Sequence, residues 1–380
     1  MLAAVIAELN PFHNGHAYLF SRVRAEEAHV AVVMSGNFTQ RGEPALYDKW
    51  TRTRAALLGG VDLVAELPLP QAVAGAKRFA RGGVAAAAAL GAEKLVFGSE
   101  CGELSPLYRA AEAVEDPAVG EGIRRRMEAG VTFAAAREAA VRETYGPETA
   151  GILREPNNVL AVEYLLALRG TGIRPETFPR VGTAHDAAAP AGEYASASLL
   201  RKRVAAGEGI DPYVPDASVY AGAPVCLPAA LEAPLLSRLR AFDRWDTLPE
   251  CAEGIERRLY AASRRARTLE ELYALAKTKR YTLARLRRLA LCAYLGVTEE
   301  MSASPPPYVR LLGCTACGRA LLHGVRGGIP VNASLSRLAR TGGAAARLAR
   351  LEAAADDQYA LLQSPRGVCG RDWTEGLIRI

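Results

Sequence analysis

The stretch that decides the fold lies near the start of the chain and reads Leu2-Ala-Ala-Val-Ile-Ala-Glu-Leu-Asn10-Pro-Phe-His13-Asn-Gly-His16. Its first part is a short apolar run typical of a buried β-strand, and its second part is a turn with two histidines and a glycine. A helical pattern follows from about His16. Free N–H groups at a helix start, beside the carboxyl end of a parallel strand, attract phosphates. The stretch therefore predicts an α/β fold with a phosphate site at its first turn.

The same alternation of strand and helix patterns continues through the first hundred residues. Apolar runs at 30–34, 61–67 and 95–97 alternate with stretches of helical periodicity. Runs without a polar face belong to strands that are buried on both sides, as in a parallel sheet covered by helices. We therefore predict a Rossmann-like, doubly wound parallel sheet over residues 1–207.

The chain changes character after this predicted domain. A linker rich in proline, glycine and aspartate is predicted at 208–230, and a mostly helical domain at 231–380. The formal net charge is only +6, but residues 255–350 contain 18 basic and 5 acidic side chains. Because the basic charge is concentrated in one region, the helical domain is the predicted surface for an acidic partner.

Composition excludes several classes of protein. Half of the 380 residues are hydrophobic and 23% are charged, which is typical of a folded enzyme and unlike a disordered chain. Seven scattered cysteines predict no disulfide framework and indicate a reducing compartment. Cys314 and Cys317 are close in sequence, but only His323 could join them, so no metal site is predicted. The apolar runs are shorter than the ~20 residues that span a bilayer, so we expect a cytoplasmic protein without a membrane span.

The histidine turn carries the chemistry. Gly15 allows the backbone to approach a nucleotide, and His13 and His16 can donate hydrogen bonds to phosphate oxygens as charge builds on them. A second candidate is the segment Ala195-Ser-Ala-Ser-Leu-Leu-Arg201, in which two hydroxyls precede an arginine within a helical turn. Such a segment can hold the β- and γ-phosphates of a nucleotide, with serine capping of the helix as the alternative interpretation.

These motifs, with others further along the chain, resemble those of one family. The turn at 10–16 is the HxGH signature of the nucleotidyltransferase and class I aminoacyl-tRNA synthetase superfamily. With it, the following segments closely resemble the bacterial tRNA(Met) cytidine acetate ligase family: Met34-Ser-Gly-Asn-Phe-Thr-Gln-Arg-Gly-Glu-Pro44, Asp48-Lys-Trp50, Asp62-Leu-Val-Ala-Glu-Leu-Pro68, Phe97-Gly-Ser-Glu100, Pro156-Asn-Asn158, His185-Asp186, Ala195-Ser-Ala-Ser-Leu-Leu-Arg201 and Thr278-Lys-Arg-Tyr-Thr-Leu-Ala-Arg285. The resemblance implies a nucleotidyltransferase-like, ATP-binding catalytic domain at 1–207 and a tRNA-binding domain at 231–380.

The resemblance implies an ATP-dependent ligase. Such an enzyme activates acetate as acetyl-adenylate and releases pyrophosphate. It then acetylates N4 of the wobble cytidine of elongator tRNA(Met), which gives N4-acetylcytidine. ATP is then a substrate that Mg²⁺ is expected to accompany, and acetate and elongator tRNA(Met) are the partners. The oligomeric state is not set by the sequence.

The resemblance also assigns roles to individual residues. It implies catalytic roles for His13, His16, Ser196, Ser198 and Arg201. It implies an ATP site formed by residues of the first turn and of later strand and helix ends: Ile6, Ala7, Glu8, Asn10, Pro11, Phe12, Asn14, Gly15, Leu19, Gly98, Asn157, Asn158 and Arg180. From the residues alone, the asparagine pair can equally cap a helix and the glycine after the fourth strand pattern can be a plain turn.

Basic side chains between 257 and 288 are the predicted RNA-binding surface, because lysine and arginine supply most non-specific affinity for RNA phosphates. Arginines of the helical pattern near 285 lie largely off its apolar face, so they are expected to face outward. The residues predicted to bind RNA are Lys279, Arg280, Tyr281, Arg285, Arg287 and Arg288. The tyrosine would stack on an unpaired base. The alternatives are a solvated helix face and, for the tyrosine, core packing.

Two other functions compete with the ligase. The histidine turn alone suffices for a nucleotidyltransferase that adenylylates a small phosphorylated metabolite. A non-catalytic RNA-binding protein with a vestigial nucleotide site is the other possibility. The basic helical region argues against the metabolite enzyme, and the presence of both histidines, Gly15 and the serine–arginine segment argues against a vestigial site.

Overall fold

A mostly parallel central sheet organises the protein. The computed structural model describes residues 1–180, 189–252, 254–322 and 328–380. The strands are β1 (Leu2–Ala7), β2 (His29–Ser35), β3 (Leu63–Leu67), β4 (Lys94–Ser99), β5 (Arg174–Pro179), β6 (Val225–Cys226), β7 (Val309–Cys314), β8 (Val331–Asn332), β9 (Gln363–Ser364) and β10 (Ile378–Arg379). The main sheet has the order β10-β7-β3-β2-β1-β4-β5, with β8 beside β7, while β6 pairs with β9. The predicted α/β class with a mostly parallel sheet is confirmed.

Helices cover both faces of the sheet and form most of the second half of the chain. They are α1 (Asn14–Arg24), α2 (Lys49–Leu58), α3 (Leu69–Ala72), α4 (Ala76–Ala89), α5 (Leu104–Glu115), α6 (Pro117–Glu128), α7 (Phe133–Ile152), α8 (Pro156–Leu168), α9 (Ala197–Ala205), α10 (Glu232–Ala241), α11 (Ile255–Arg265), α12 (Leu269–Ala276), α13 (Leu283–Leu295), α14 (Glu299–Ala303), α15 (Ala316–Leu322), α16 (Leu335–Ala339), α17 (Gly343–Leu362) and α18 (Arg371–Thr374). Short 3₁₀ turns lie at Asp211–Tyr213, Ala217–Val219, Pro228–Leu231 and Trp245–Thr247.

The strand order reverses at β1. This strand pairs in parallel with β2 on one side and with β4 on the other. The chain therefore runs from β1 through β2 to β3 in one direction and resumes on the opposite side with β4 and β5. In open α/β sheets, ligands bind in the crevice outside the carboxyl ends of the strands at such a reversal. A ligand site is therefore expected at the carboxyl ends of β1 and β4.

Side chains of β1 alternate between two separate cores, one on each face of the sheet. Leu2, Ala4 and Ile6 belong to the core that contains buried residues of α4 and α8. Ala3 and Val5 belong to the core that contains buried residues of α1 and α2. Because both faces are covered, the strand lacks a polar face, which explains the uninterrupted apolar run in the sequence.

The last third of the chain returns to the sheet, which the sequence analysis did not predict. The 231–380 region is mostly helical as expected, but its strand β7 pairs antiparallel with β3, and β8 and β10 each pair in parallel with β7. The six residues of β7 are all buried, including Arg310. Arg310 interrupts the apolar run, so the local pattern does not indicate a buried strand. The acidic groups that make its burial possible come from distant parts of the sequence. The boundaries at 207 and 230 stay predictions.

Three further observations concern membrane spans, cysteines and metal ligands in the described residues. None of the helices within 1–180, 189–252, 254–322 and 328–380 is both long and apolar enough to cross a membrane. All seven cysteines are free, as expected from their scattered positions. In the same parts of the chain, His, Cys, Asp and Glu side chains nowhere form a group of three or more that could hold a metal ion. His323, the one further zinc candidate, lies outside the described residues.

Candidate active site

A cavity of about 270 Å³ opens at the carboxyl ends of β1 and β4, where the strand order reverses. Its described walls come from the end of β1, the start of α1, the loop after β2, α4, the ends of β4 and β5, α8 and the start of α9. Both α1 and α9 begin at this cavity. The free N–H groups and the positive dipole end of a helix start attract anions, so the backbone alone favours a phosphate here.

Two histidines stand at the start of α1, with ring centroids 3.9 Å apart. The Nδ1 atom of His13 accepts a hydrogen bond from Gly15 N–H at 3.1 Å, and the Nδ1 atom of His16 accepts from His13 N–H at 3.4 Å. Because Nδ1 is the acceptor in each ring, the network assigns the proton of each neutral imidazole to Nε2. The pair therefore offers two Nε2–H donors to a ligand.

Both imidazoles are neutral near pH 7. Burial, with smaller contributions from the charges of Arg180 and Arg201, lowers the pKa of His13 to about 3. Burial also lowers the pKa of His16 well below its usual value, with smaller contributions from His13 and Arg180. A buried imidazole beside arginines is disfavoured in its charged form until an anion enters the site. The site is therefore electrostatically prepared for a polyanion.

Gly15 is required by close packing between the histidines. A Cβ atom at this position would lie 2.9 Å from His13 Cε1. Any side chain would therefore push the first imidazole away from the helix start and break its cap. The structure gives a steric reason for the glycine of the HxGH signature, in addition to the approach of a ligand.

The serine–arginine segment also lines the cavity. Ser196 caps α9, since its Oγ accepts from Leu199 N–H at 3.2 Å, and its Oγ lies 3.0 Å from Ser198 Oγ. Arg201 donates from a terminal nitrogen to Asn10 O at 2.8 Å, which ties α9 to the histidine turn. Both interpretations of the segment are thus compatible, because the same serine caps the helix and lines the cavity.

Fourteen of the residues that the sequence analysis predicted for catalysis or ATP line this cavity, although the residues lie far apart in the sequence. They are Ile6, Ala7, Glu8, Asn10, His13, Gly15, His16, Leu19, Gly98, Asn157, Arg180, Ser196, Ser198 and Arg201. Arg180 donates to Asn157 Oδ1 at 3.0 Å, and burial lowers its pKa. The only acid among the described lining residues is Glu8, whose Oε1 accepts from Gln40 N–H at 2.7 Å.

Four predicted ATP-site residues do not line the cavity, so their direct contact with ATP is not supported. Phe12 is buried in the core, where it stacks on Phe20. Pro11 is also buried. Asn14 uses its amide to donate to the carbonyls of Glu193 and Pro212. Asn158 caps the loop after β4 by accepting from the N–H groups of Glu100 and Cys101. A contact of these four residues with ATP therefore stays a prediction.

Other lining residues were missed by the sequence analysis. Phe79 on α4, Phe97 on β4 and Leu160 and Tyr164 on α8 form an apolar part of the wall. The spacing of Asn157, Leu160 and Tyr164 places all three on one stripe of α8, which is the signal that could have revealed them. The loop after β2 contributes two further residues, Gln40 and Arg41.

The predicted RNA-binding residues at 281–288, in and just before α13, do not face outward as expected. Tyr281 is only 5% exposed and belongs to the helical core, so it cannot stack on a base. Arg287 is paired with Glu43, and Arg288 lies 3.6 Å from Glu250. Arg285 donates to Glu250 O at 2.8 Å. The apolar face of α13 was predicted correctly, but acidic groups on neighbouring segments cover the arginines, and no helical wheel shows that.

Two predicted RNA-binding residues and a different helix remain accessible. Lys279 and Arg280 are exposed in the loop before α13. Helix α11 exposes a basic face with an aromatic ring that is 48% exposed: Arg257, Arg258, Tyr260, Arg264 and Arg265. The ring of Tyr260 is supported by an edge contact with Trp245, with centroids 6.3 Å apart. The accessible basic surface is therefore on α11 rather than α13.

Two of the motifs that carry the family resemblance build a buried ion cluster outside the cavity. Lys49 Nζ lies 2.8 Å from Glu66 and 2.6 Å from Asp372, and Arg310 lies 2.8 Å from Asp372. Burial alone would lower the pKa of Lys49, but Asp372 and Glu66 outweigh it and raise the pKa. Because the partners come from α2, β3, β7 and α18, the cluster fixes the returning carboxyl-terminal chain to the sheet.

The described residues do not fit a resident magnesium site. Mg²⁺ in nucleotide sites is held by one or two carboxylates together with the phosphates. Glu8 is the one carboxylate among the described lining residues, and it is already bonded to Gln40 N–H. The magnesium expected from ATP use stays a prediction.

Comparisons with known proteins identify the family of this chain. The model of the HIGH Nucleotidyl Transferase family matches residues 1–369, so the chain belongs to that family. A protein from Syntrophotalea carbinolica named tRNA(Met) cytidine acetate ligase is 41% identical over 88% of this chain and 85% of its own. A protein of the same name from a Thermoanaerobacter species is 34% identical over the whole of both chains. Another from Bacillus subtilis is 33% identical over 84% of this chain and 83% of its own. Within the nucleotidyl transferases, the chain therefore belongs to the tRNA(Met) cytidine acetate ligases.

Solved structures show the same fold. A crystal structure of Thermotoga maritima TmcAL without ligand superposes with a TM-score of 0.92 at 28% identity and covers all of both chains. A second structure of that protein, bound with alpha-thio ATP, superposes with a TM-score of 0.90 at 28% identity, again over both full chains.

Proposed function

We propose that this protein is an ATP-dependent ligase that activates acetate as acetyl-adenylate and acetylates N4 of the wobble cytidine of elongator tRNA(Met). The observation that carries the proposal is the pair of Nε2–H donors at His13 and His16, beside Arg180 and Arg201 at the strand reversal. The names of the curated relatives and the nucleotide in the related crystal structure support it. The free cysteines suit a reducing compartment, so we place its action in the cytoplasm.

In the first step, a carboxylate oxygen of acetate attacks the α-phosphorus of ATP. A bond forms between that oxygen and phosphorus, the bond from the α-phosphorus to the bridging oxygen breaks, and pyrophosphate leaves. Negative charge grows on the phosphate oxygens as this happens. The imidazole donors of His13 and His16 and the charge of Arg201 stabilise it, and such preorganised donors act most strongly where water is excluded.

In the second step, the N4 nitrogen of cytosine attacks the carbonyl carbon of acetyl-adenylate. The new C–N bond replaces the C–O bond to AMP, which leaves as the phosphate anion, and N4 loses one proton to the Glu8 carboxylate. Glu8 is the group that we assign to this amine, because carboxylates accept hydrogen bonds from cytosine N4 and it is the one acid on the described cavity wall.

The tRNA is held by the basic face of α11 together with Lys279 and Arg280. Arginines there are exposed and Tyr260 offers a ring for stacking on an unpaired base. Helix α13 connects this region to the cavity, because Arg287 pairs with Glu43 in the loop that also carries Gln40 and Arg41. RNA bound on α11 therefore lies in the same helical region as α13, which contacts a wall of the catalytic cavity.

Mass spectrometry of tRNA nucleosides tests the proposal. The purified protein is incubated with ATP, isotopically labelled acetate and an elongator tRNA(Met) transcript, and the digested tRNA is analysed. We expect labelled N4-acetylcytidine, and none with a matched transcript that carries uridine at the wobble position. Absence of acetylated tRNA together with acetate-independent adenylylation of a phosphorylated metabolite would replace the ligase by the competing enzyme.

A further inference from the structure

The cavity has two chemically different halves. One half contains the imidazoles and the serine–arginine segment that suit phosphates. The other half is built from apolar side chains: Ile6, Phe79, Phe97, Leu160 and the ring of Tyr164. A ligand that fills both halves must carry charge at one end and a nonpolar group at the other.

The apolar half has a closed floor. Phe79, Phe97 and Tyr164 are all buried, and the rings of Phe97 and Tyr164 pack with centroids 5.5 Å apart. Helix α4 approaches β1 so closely that a Cβ at Gly83 would lie 2.5 Å from Ile6 Cδ1. Side chains held in this way cannot move apart to admit a larger group without disturbing the core. The space above them is therefore of fixed size.

The hydroxyl group of Tyr164 is the polar group of this apolar floor. Tyr164 is 4% exposed and lines the cavity, yet its hydroxyl forms no hydrogen bond to any residue of the described parts of the chain. Burial raises the pKa of this hydroxyl, with a smaller contribution from Glu8, so it keeps its proton as a donor. The hydroxyl is reached from the cavity that Tyr164 lines, so an acceptor on a bound ligand can take its hydrogen bond.

We propose that this half of the cavity is the acyl subsite, in which Tyr164 binds a carboxylate oxygen of acetate while the methyl group packs against Phe97 and Ile6. The inference rests on the proposed function, since it names where the carboxylic acid of that reaction binds. The same hydroxyl then bonds the carbonyl oxygen of acetyl-adenylate. Adenine has several polar groups on its edge, so the amide of Asn157 and the guanidinium of Arg180 suit it better than a floor with one hydroxyl.

Kinetics of Tyr164→Phe test the subsite. Acetate-dependent ATP–pyrophosphate exchange is measured with each substrate varied in turn, and Tyr108→Phe on exposed α5 is the matched control. We expect the KM for acetate to rise ~10-fold or more with the KM for ATP nearly unchanged, because a hydrogen bond to a charged group is lost. An unchanged KM for acetate, or an equal or larger rise in the KM for ATP, would overturn the assignment.

Selectivity provides a second test that does not depend on the tyrosine variant folding. Ile6→Val removes one methyl group from the floor, and Ile173→Val is a matched change in the same core that does not line the cavity. We expect the first variant to raise kcat/KM for propionate relative to acetate by ~10-fold, the scale of one methylene in a small pocket. An unchanged ratio would place the acid elsewhere. Wild-type protein without any acetate-dependent exchange would instead refute the proposed function itself.

Discussion

The tautomer assigned to the histidines leads to a prediction that separates His16→Asn from His16→Gln. Asparagine can place its oxygen near Nδ1, and so keep the acceptor for His13 N–H, but it has no donor at the position of Nε2. Glutamine can place an amide N–H near Nε2 and loses the Nδ1 acceptor. Only the Nε2–H donor faces charge that develops in the transition state. Loss of one such donor costs about 10²–10³ in kcat.

We therefore expect acetate-dependent ATP–pyrophosphate exchange to fall ~100-fold or more in His16→Asn and to be at least ~10-fold higher in His16→Gln. The weak 3.4 Å cap contact that glutamine loses contributes little, so both variants should melt near the wild-type temperature. His29→Asn, a histidine on β2 beside Asp62 and away from the cavity, is the control. Equal activity of the two variants, or an asparagine variant as active as the wild type, would refute the assigned donor.

Four further predictions follow from particular contacts. Charge reversal at Arg264 and Arg265 should weaken tRNA binding and reduce its salt slope by about 2, while exchange stays intact; an unchanged slope would remove α11 from the RNA surface. Lys49→Met should lower the free energy of unfolding by about 3–5 kcal/mol in urea titrations, because Glu66 and Asp372 lose a buried partner; a loss below about 1 kcal/mol would contradict the ion cluster. The pKa of His13 is about 3 in the folded protein and about 6.5 when unfolded, so the free energy of unfolding should fall as the pH falls from 6.5 towards 3, by up to about 1.4 kcal/mol per pH unit. His13→Asn should flatten this dependence of the unfolding free energy on pH. Identical pH dependences for the variant and the wild type would refute the lowered pKa. Glu8→Gln should slow acetyl transfer to tRNA by about 10²-fold with pyrophosphate exchange nearly unchanged, and equal loss in both assays would place Glu8 in the first step.

Local patterns were sufficient to predict the fold of the first hundred residues and the position of the cavity. The first buried strand, the histidine turn and the following helix lie within 24 residues, and their order alone places the site at a strand end. These patterns depend on neighbours in the sequence, which a single chain displays. Gly98, Asn157 and Arg180 were assigned through the family resemblance, and the structure places all three on the cavity wall.

Features that depend on distant partners were not predictable in this way. Strand β7 contains Arg310, which is neutralised by Glu66 and Asp372 from opposite ends of the chain, so its burial has no local signal. The arginines of α13 were expected to face solvent, but Glu43 and Glu250 cover them. Tyr164 was missed because an aromatic residue on a buried helix stripe is usually core, and only the cavity reveals its hydroxyl.

A crystal structure with alpha-thio ATP and acetate tests the central claim most directly, namely that the nucleotide is activated at the carboxyl ends of β1 and β4. We expect the phosphates within hydrogen-bond distance of the Nε2 atoms of His13 and His16 and of Arg201, with acetate beyond the α-phosphorus towards Tyr164. Nucleotide density at any other place on the molecule, with these imidazoles left in contact only with water, would contradict the account.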